Sequence, residues 1–81
     1  MVGNSQGGFE LPFGEALRRV RLAAGMTQEH LALESGVQRN FISLIETGQN
    51  QPTISTVAKL ARALGMKASA LVAEAEKPHR R

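Results

Sequence analysis

Two short stretches with apolar residues at helical spacing, joined only by Ser35-Gly36-Val37, constrain this chain more than any other feature. Thr27 is a good N-cap for the first stretch, because its side-chain oxygen can accept from an amide that the opening turn leaves without a partner. Glu29 adds negative charge at the positive end of that helix. Leu31, Ala32 and Ser35 can face inward, and Gly36 stops the helix after about two turns. The second stretch runs from about Gln38 to Glu46. Phe41, Ile42 and Ile45 give it an apolar side, Arg39, Asn40, Ser43 and Thr47 lie towards the other, and Gly48 closes it. A joint this short with a glycine holds two helices at a steep angle. Helices of this length are marginal alone, so longer neighbours must brace the pair.

The sequence supplies those neighbours. Pro12 is tolerated in a first helical turn. After it Phe13, Leu17, Val20 and Ala24 fall on one helical face, with Arg18, Arg19 and Arg21 on the other sides. Beyond the loop Gln49-Asn50-Gln51-Pro52, Thr53 caps a fourth helix. There Ile54, Val57, Leu60, Ala61 and Leu64 recur at three and four, the clearest amphipathic pattern in the chain. A fifth short helix, from about Ala68 to Ala75, would bury Ala68, Leu71 and Val72. Strand alternation and hairpin dipeptides between β-branched runs are lacking. The predicted fold class is therefore all-α, five helices around a central helix-turn-helix. Residues 1–10 are expected to be a flexible tail, because the glycines and polar residues of Met1 to Gly8 offer no face to pack. Residues 11–75 would form the domain, and 76–81 a basic C-terminal tail with Pro78 set against further helix.

Composition narrows the function classes. A chain of 81 residues makes one domain with a modest core, for which a partner subunit would help. It leaves no room for a ligand-sensing domain, so control is expected through protein concentration. There is no cysteine, hence no disulfide framework or thiolate metal site, in keeping with a reducing cytoplasm. Met1 to Gly8 has neither the basic nor the apolar segment of a signal peptide, and no apolar run reaches membrane-spanning length. A cytoplasmic protein without a membrane partner is expected. Ten Lys and Arg against seven Asp and Glu give a formal charge of +3, which favours an anionic partner such as nucleic acid. With three Phe and neither Trp nor Tyr, the chain lacks the aromatic platforms on which single strands stack. His30 and His79 are too far apart in sequence to suggest a metal site, and no nucleophile sits in a recognisable setting beside a base. Neither cofactor nor catalytic residues are expected.

The polar front and apolar back of the second short helix suit one task. A major groove admits a single α-helix, and base edges there present distinguishable donors and acceptors. Arg39 can pair with guanine through two bonds and Asn40 with adenine, while Ile42 and Ile45 hold the helix from behind.

The ordered set Gly25-Met-Thr-Gln-Glu-His-Leu-Ala32, Ser35-Gly-Val37, Phe41-Ile-Ser-Leu-Ile-Glu46, Gly48, Pro52-Thr53 and Leu60-Ala-Arg-Ala-Leu-Gly65 resembles the XRE (Cro/CI-type, lambda-repressor-like) helix-turn-helix family. The resemblance spans about Phe13 to Val72. It implies five helices, a homodimer and recognition of an inverted-repeat operator in double-stranded DNA. By that resemblance Arg39, Asn40, Ser43 and Leu44 face the bases; Leu44 is read either as an isolated exposed apolar residue, like Leu33, or as a contact to a thymine methyl. The start of the first short helix, at Thr27 and Gln28, holds a phosphate, and Thr47 makes another phosphate contact. Arg21 and Glu46 match a half-buried ion pair. Some positions depart from the family: Gln38 and Lys67 stand where short polar caps are usual, and Leu33 and Leu44 where polar residues are.

Met66, Leu71 and Val72 are taken as the dimer seam, the other reading being that they only close the monomer's core. Arg18 and Arg19 are read as solvated rather than as a DNA-facing patch. The function expected is a transcriptional regulator, either a restriction–modification controller or a phage-type repressor. It would repress where the operator overlaps a promoter and activate where the bound dimer touches RNA polymerase. The alternative is the antitoxin of a toxin–antitoxin pair, binding DNA and a protein toxin.

Overall fold

A computed structural model describes residues 12–77. Among them five helices follow one another: α1 (Phe13–Ala23), α2 (Gln28–Ser35), α3 (Arg39–Glu46), α4 (Ile54–Ala63) and α5 (Ala68–Glu76). The predicted all-α architecture is observed, with helix ends within a residue or two of those expected. The tail expected at 1–10 lies outside the described residues, as do residues 78–81 of the one expected at 76–81. Glu76, assigned to that tail, is instead the last residue of α5.

Every helix contributes to one core. Leu17 of α1, Leu31 of α2, Ile42 and Ile45 of α3, Leu60 of α4 and Leu71 of α5 are the largest fully buried side chains. Val37, from the joint between α2 and α3, closes over them. α1 packs on α3 and α5, α4 packs on α2 and α5, and α2 packs on α3, so the two longest helices brace the short pair. α2 depends most on its neighbours, since only Leu31 of its eight residues is buried. Burial of that one side chain contributes about 2 kcal/mol. The ends of α2 supply the rest: Thr27 Oγ1 accepts from the His30 amide at 2.9 Å, and Gly36 ends the helix at φ +77°, where an L side chain is strained.

Two apolar residues depart from the expected faces. Ile54, placed on the inner face of α4, is 79% exposed at the mouth of that helix. Ala24, placed on the inner face of α1, is its exposed C-terminal cap.

Gly14 determines how closely α1 approaches α3. A Cβ at this position would lie 2.1 Å from the carbonyl oxygen of Ile45 and 3.0 Å from that of Glu46. The two backbones meet with no side chain between them, and only glycine fits.

Candidate nucleic-acid interface

α3 separates its roles by face. Ile42 and Ile45 are buried, while Arg39 and Asn40 stand exposed at its first two positions, and Ser43 and Leu44 are half-buried along the same helix. The four predicted base-reading residues thus lie on one helix, two exposed and two half-buried. Gln38 precedes them in extended conformation and its side chain makes no capping bond. The opening amides of α3 consequently rely on water or a ligand.

Behind this front lies the predicted ion pair. Arg21 Nε donates to Glu46 Oε2 at 2.6 Å and Nη2 to Oε1 at 3.0 Å, a two-point geometry that favours a guanidinium over an ammonium. The third nitrogen, Nη1, donates to the Met26 carbonyl at 2.8 Å, tying the α1–α2 connection to the same group. Both side chains are nearly inaccessible, 8% and 3% exposed. The hydrogen bond to Glu46 is the largest influence on Arg21 and raises its already high pKa, against the opposing effect of desolvation. Desolvation also offsets much of the attraction, so the pair's main effect is geometric. It fixes α1, the start of α2 and the end of α3 against one another.

Gln28 links this pair to the front. Its Nε2 donates to Glu46 Oε1 at 3.0 Å. Its Oε1 accepts from Arg39 Nη1 at 3.4 Å, a long contact in solvent. Sequence reasoning gave Gln28 a phosphate and missed both of these bonds, although its place at the start of α2, opposite Glu46, could have suggested one. Thr27 keeps its hydroxyl hydrogen while its oxygen serves as the cap of α2. Thr47 is placed differently: its hydroxyl donates into α3, to the carbonyls of Ser43 (3.1 Å) and Leu44 (3.2 Å), and its oxygen accepts from Gln49 Nε2. To serve a phosphate it would have to turn that single hydrogen away from the helix end.

The predicted dimer seam needs correcting at one position. Leu71 is 0% exposed and belongs to the monomer's core, so it offers no surface to a second subunit. An apolar residue on a short last helix can face either way, and here the gap between α1 and α4 takes it. Met66 and Val72 are half-buried at the edge of that core and keep some surface. Gly14 was also missed. Its signal was a glycine in the first turn of a helix, where it weakens the helix and ends nothing.

Among the described residues no three His, Cys, Asp or Glu side chains come together in a way that could hold a metal ion. No helix among them is long and apolar enough to cross a membrane. His30, read as a lone histidine, lies 3.8 Å from Glu34 one turn along α2, both exposed; His79 lies outside the described residues.

Comparison with known proteins gives a consistent picture. A family model described as helix-turn-helix matches residues 17–71. The control protein C.BamHI of Bacillus amyloliquefaciens is 38% identical over 58 residues, 70% of this chain and 72% of its own length. An uncharacterized HTH-type transcriptional regulator of Sinorhizobium fredii, y4dJ, is 37% identical over 59 residues, 73% of this chain and 77% of its own. Among solved structures, the restriction-modification controller protein C.AhdI from Aeromonas hydrophila superposes with a TM-score of 0.72 at 38% identity, covering 75% of this chain and 92% of its own.

Proposed function

We propose that this chain, which belongs to the helix-turn-helix family of DNA-binding transcriptional regulators, works as a cytoplasmic homodimer that reads an inverted-repeat operator in duplex DNA. The observation that carries this reading is the division of α3, with Arg39 and Asn40 exposed at its start and Ile42 and Ile45 buried behind. Each subunit sets α3 in a major groove, with half-sites about one helical turn (~34 Å) apart. Arg39 contacts guanine O6 and N7, Asn40 an adenine, and Ser43 and Leu44 the next base edges along the helix. Thr27 and the first amides of α2 hold a phosphate, joined by the second amide hydrogen of Gln28. Thr47 joins them only by rotating its hydroxyl.

The likeness to C.BamHI and C.AhdI, which match over most of their own lengths, favours a restriction–modification controller over a phage-type repressor. Selection of bound duplexes from a random pool at one stated salt concentration tests the whole reading, because affinity for DNA has no meaning without the salt. Recovery of a twofold-symmetric sequence is expected; a pool that stays random would end the proposal. The dimer seam, assigned to Met66 and Val72, has its own check. Val72→Glu should lower the sedimentation mass from dimer to monomer and abolish cooperative operator binding while the fold is kept. An unchanged mass places the seam elsewhere.

A further inference from the structure

We infer that Arg19 is a positioning residue for operator spacing, tying the end of α5 to α1 and so fixing the angle at which two subunits present α3. The inference rests on the reading above, in which Met66 and Val72 form the dimer seam and α3 enters the groove. Under that reading α5 carries the seam and α3 reads the bases, and α1 joins the two by packing on both. The contact of α1 with α3 is rigid, because backbone meets backbone at Gly14. Its contact with α5 is of another kind. Leu71 and Ala75 are the buried residues of α5, and apolar burial has no preferred direction. The start of α5 has no side-chain cap to fix it, since Lys67 makes no such bond.

Direction comes from Arg19. Expected to be solvated, it keeps 41% of its side chain exposed, yet its Nη2 donates to the main-chain carbonyl of Glu74 at 3.0 Å. That carbonyl lies in the last turn of α5, where the chain itself offers it only the Lys77 amide at a long 3.4 Å. α5 has no basic residue in its own last turn; Arg19 brings a cation to that negative end from a different helix. The Glu74 carboxylate stays close, 3.8 Å from Arg19 and 2.9 Å from Lys77 Nζ, a surface pairing that contributes little by itself. The bond to main chain matters more for geometry, because a carbonyl moves only with its helix. Glu74 follows Val72 by two residues, about 3 Å along the axis, so the tether acts beside the seam. With half-sites about 34 Å apart, each α3 stands about 17 Å from the twofold axis. A tilt of about 10° at α5 moves it by about 3 Å, close to the rise of one base pair, about 3.4 Å. Tolerance of spacing therefore depends on how firmly α5 is held against α1.

The test uses the operator recovered by selection and versions with the same half-sites set one base pair closer or farther apart, at one salt concentration. Dissociation constants are measured for the parent chain, Arg19→Met and Arg18→Met, with base-pair substitutions inside one half-site as an internal standard. Methionine keeps an unbranched stem and a similar helix propensity and removes the donors. Arg18→Met makes the same change of charge at an exposed neighbour on α1. The parent should bind the altered spacings far more weakly than the original. Arg19→Met is expected to shrink that ratio by about three- to tenfold, the loss of one hydrogen bond, with base ratios and dimeric sedimentation mass unchanged. Arg18→Met should keep the parent's spacing ratio. Melting curves keep every binding measurement below the unfolding transition. If Arg19→Met discriminates spacing as the parent does, or Arg18→Met loses discrimination equally, the inference is overturned and the dimeric reader stands. If the parent sediments as a monomer, or Val72→Glu leaves the mass of a dimer unchanged, the seam is not on α5, and that part of the reading fails together with the inference.

Discussion

The rear of α3, where it meets α1, and its front, where Arg39 and Asn40 stand, belong to one eight-residue helix and obey different constraints. At the rear, backbone touches backbone at Gly14, and a two-point ion pair is sealed from water. A change there must be absorbed by main chain or by an unpaired buried charge. At the front, side chains project into solvent, and the bond that restrains Arg39, to Gln28, is a long one. Stability is therefore concentrated on one face of the helix and, on the proposed reading, chemical choice on the other, with Gln28 between them.

Substitutions can break that contrast or sharpen it. The largest effect is expected at the rear. Glu46→Ala strands the Arg21 charge in a dry site, at a cost of about 3–5 kcal/mol. Urea unfolding measures it, and a loss below about 1 kcal/mol would mean that the rear tolerates a free charge. Gly14→Ala comes next and has a sign worth working out. Alanine is the better helix former by about 1 kcal/mol. Its methyl would meet the Ile45 carbonyl at 2.1 Å, however, and the obstacle is backbone. The clash should win, for a net destabilisation of about 2–3 kcal/mol; a rise in melting temperature would show that α1 simply moves away.

At the front the expected readout changes from stability to binding. Arg39→Ala should cost about 1–3 kcal/mol on the cognate operator and relax one base preference, with melting unaltered. Equal loss on all sequences would reduce Arg39 to a phosphate contact. The smallest effect belongs to neither face. Glu74 of α5 accepts from Lys77, and Arg19 of α1 reaches its backbone carbonyl at 3.0 Å. The hydrogen bond from Lys77, then the charges of Lys77 and Arg19, hold the Glu74 carboxyl below its ordinary value of 4.5, against a little desolvation. A lowered folded-state value stabilises above the ordinary one, and that stabilisation disappears as pH falls through the lowered one. Melting curves of the parent chain and Glu74→Gln should therefore diverge only near neutrality and converge in acid, weakly and less at high salt. Parallel curves across the whole range would remove Glu74 from the account.

Much of this could be read from the residues, and for physical reasons. Gly36 marks the end of α2 because few other residues adopt its backbone conformation without strain. Thr27 and Thr53 mark helix starts because their oxygens satisfy amides that helix geometry leaves open. Leu17, Ile42 and Leu60 follow from spacing alone. Leu71 was misplaced because periodicity says which residues share a face and not what covers it. Ile54 was misplaced because the apolar stripe of α4 begins a turn before its core contact does. The Arg21–Glu46 pair came from resemblance to a family, and the bonds of Gln28 came from neither source. They depend on side-chain positions across 18 and 11 residues of chain, a separation at which local pattern carries no information.

The missing Cβ at Gly14 has a consequence for how such a protein could acquire new targets. Because main-chain atoms set the distance between α1 and α3, the support for the exposed side chains does not depend on their identity. On the proposed reading, exchanging the exposed Asn40 would redirect the protein to another operator without rebuilding its frame. Position 39 is less free, since any newcomer inherits the acceptor that Gln28 presents.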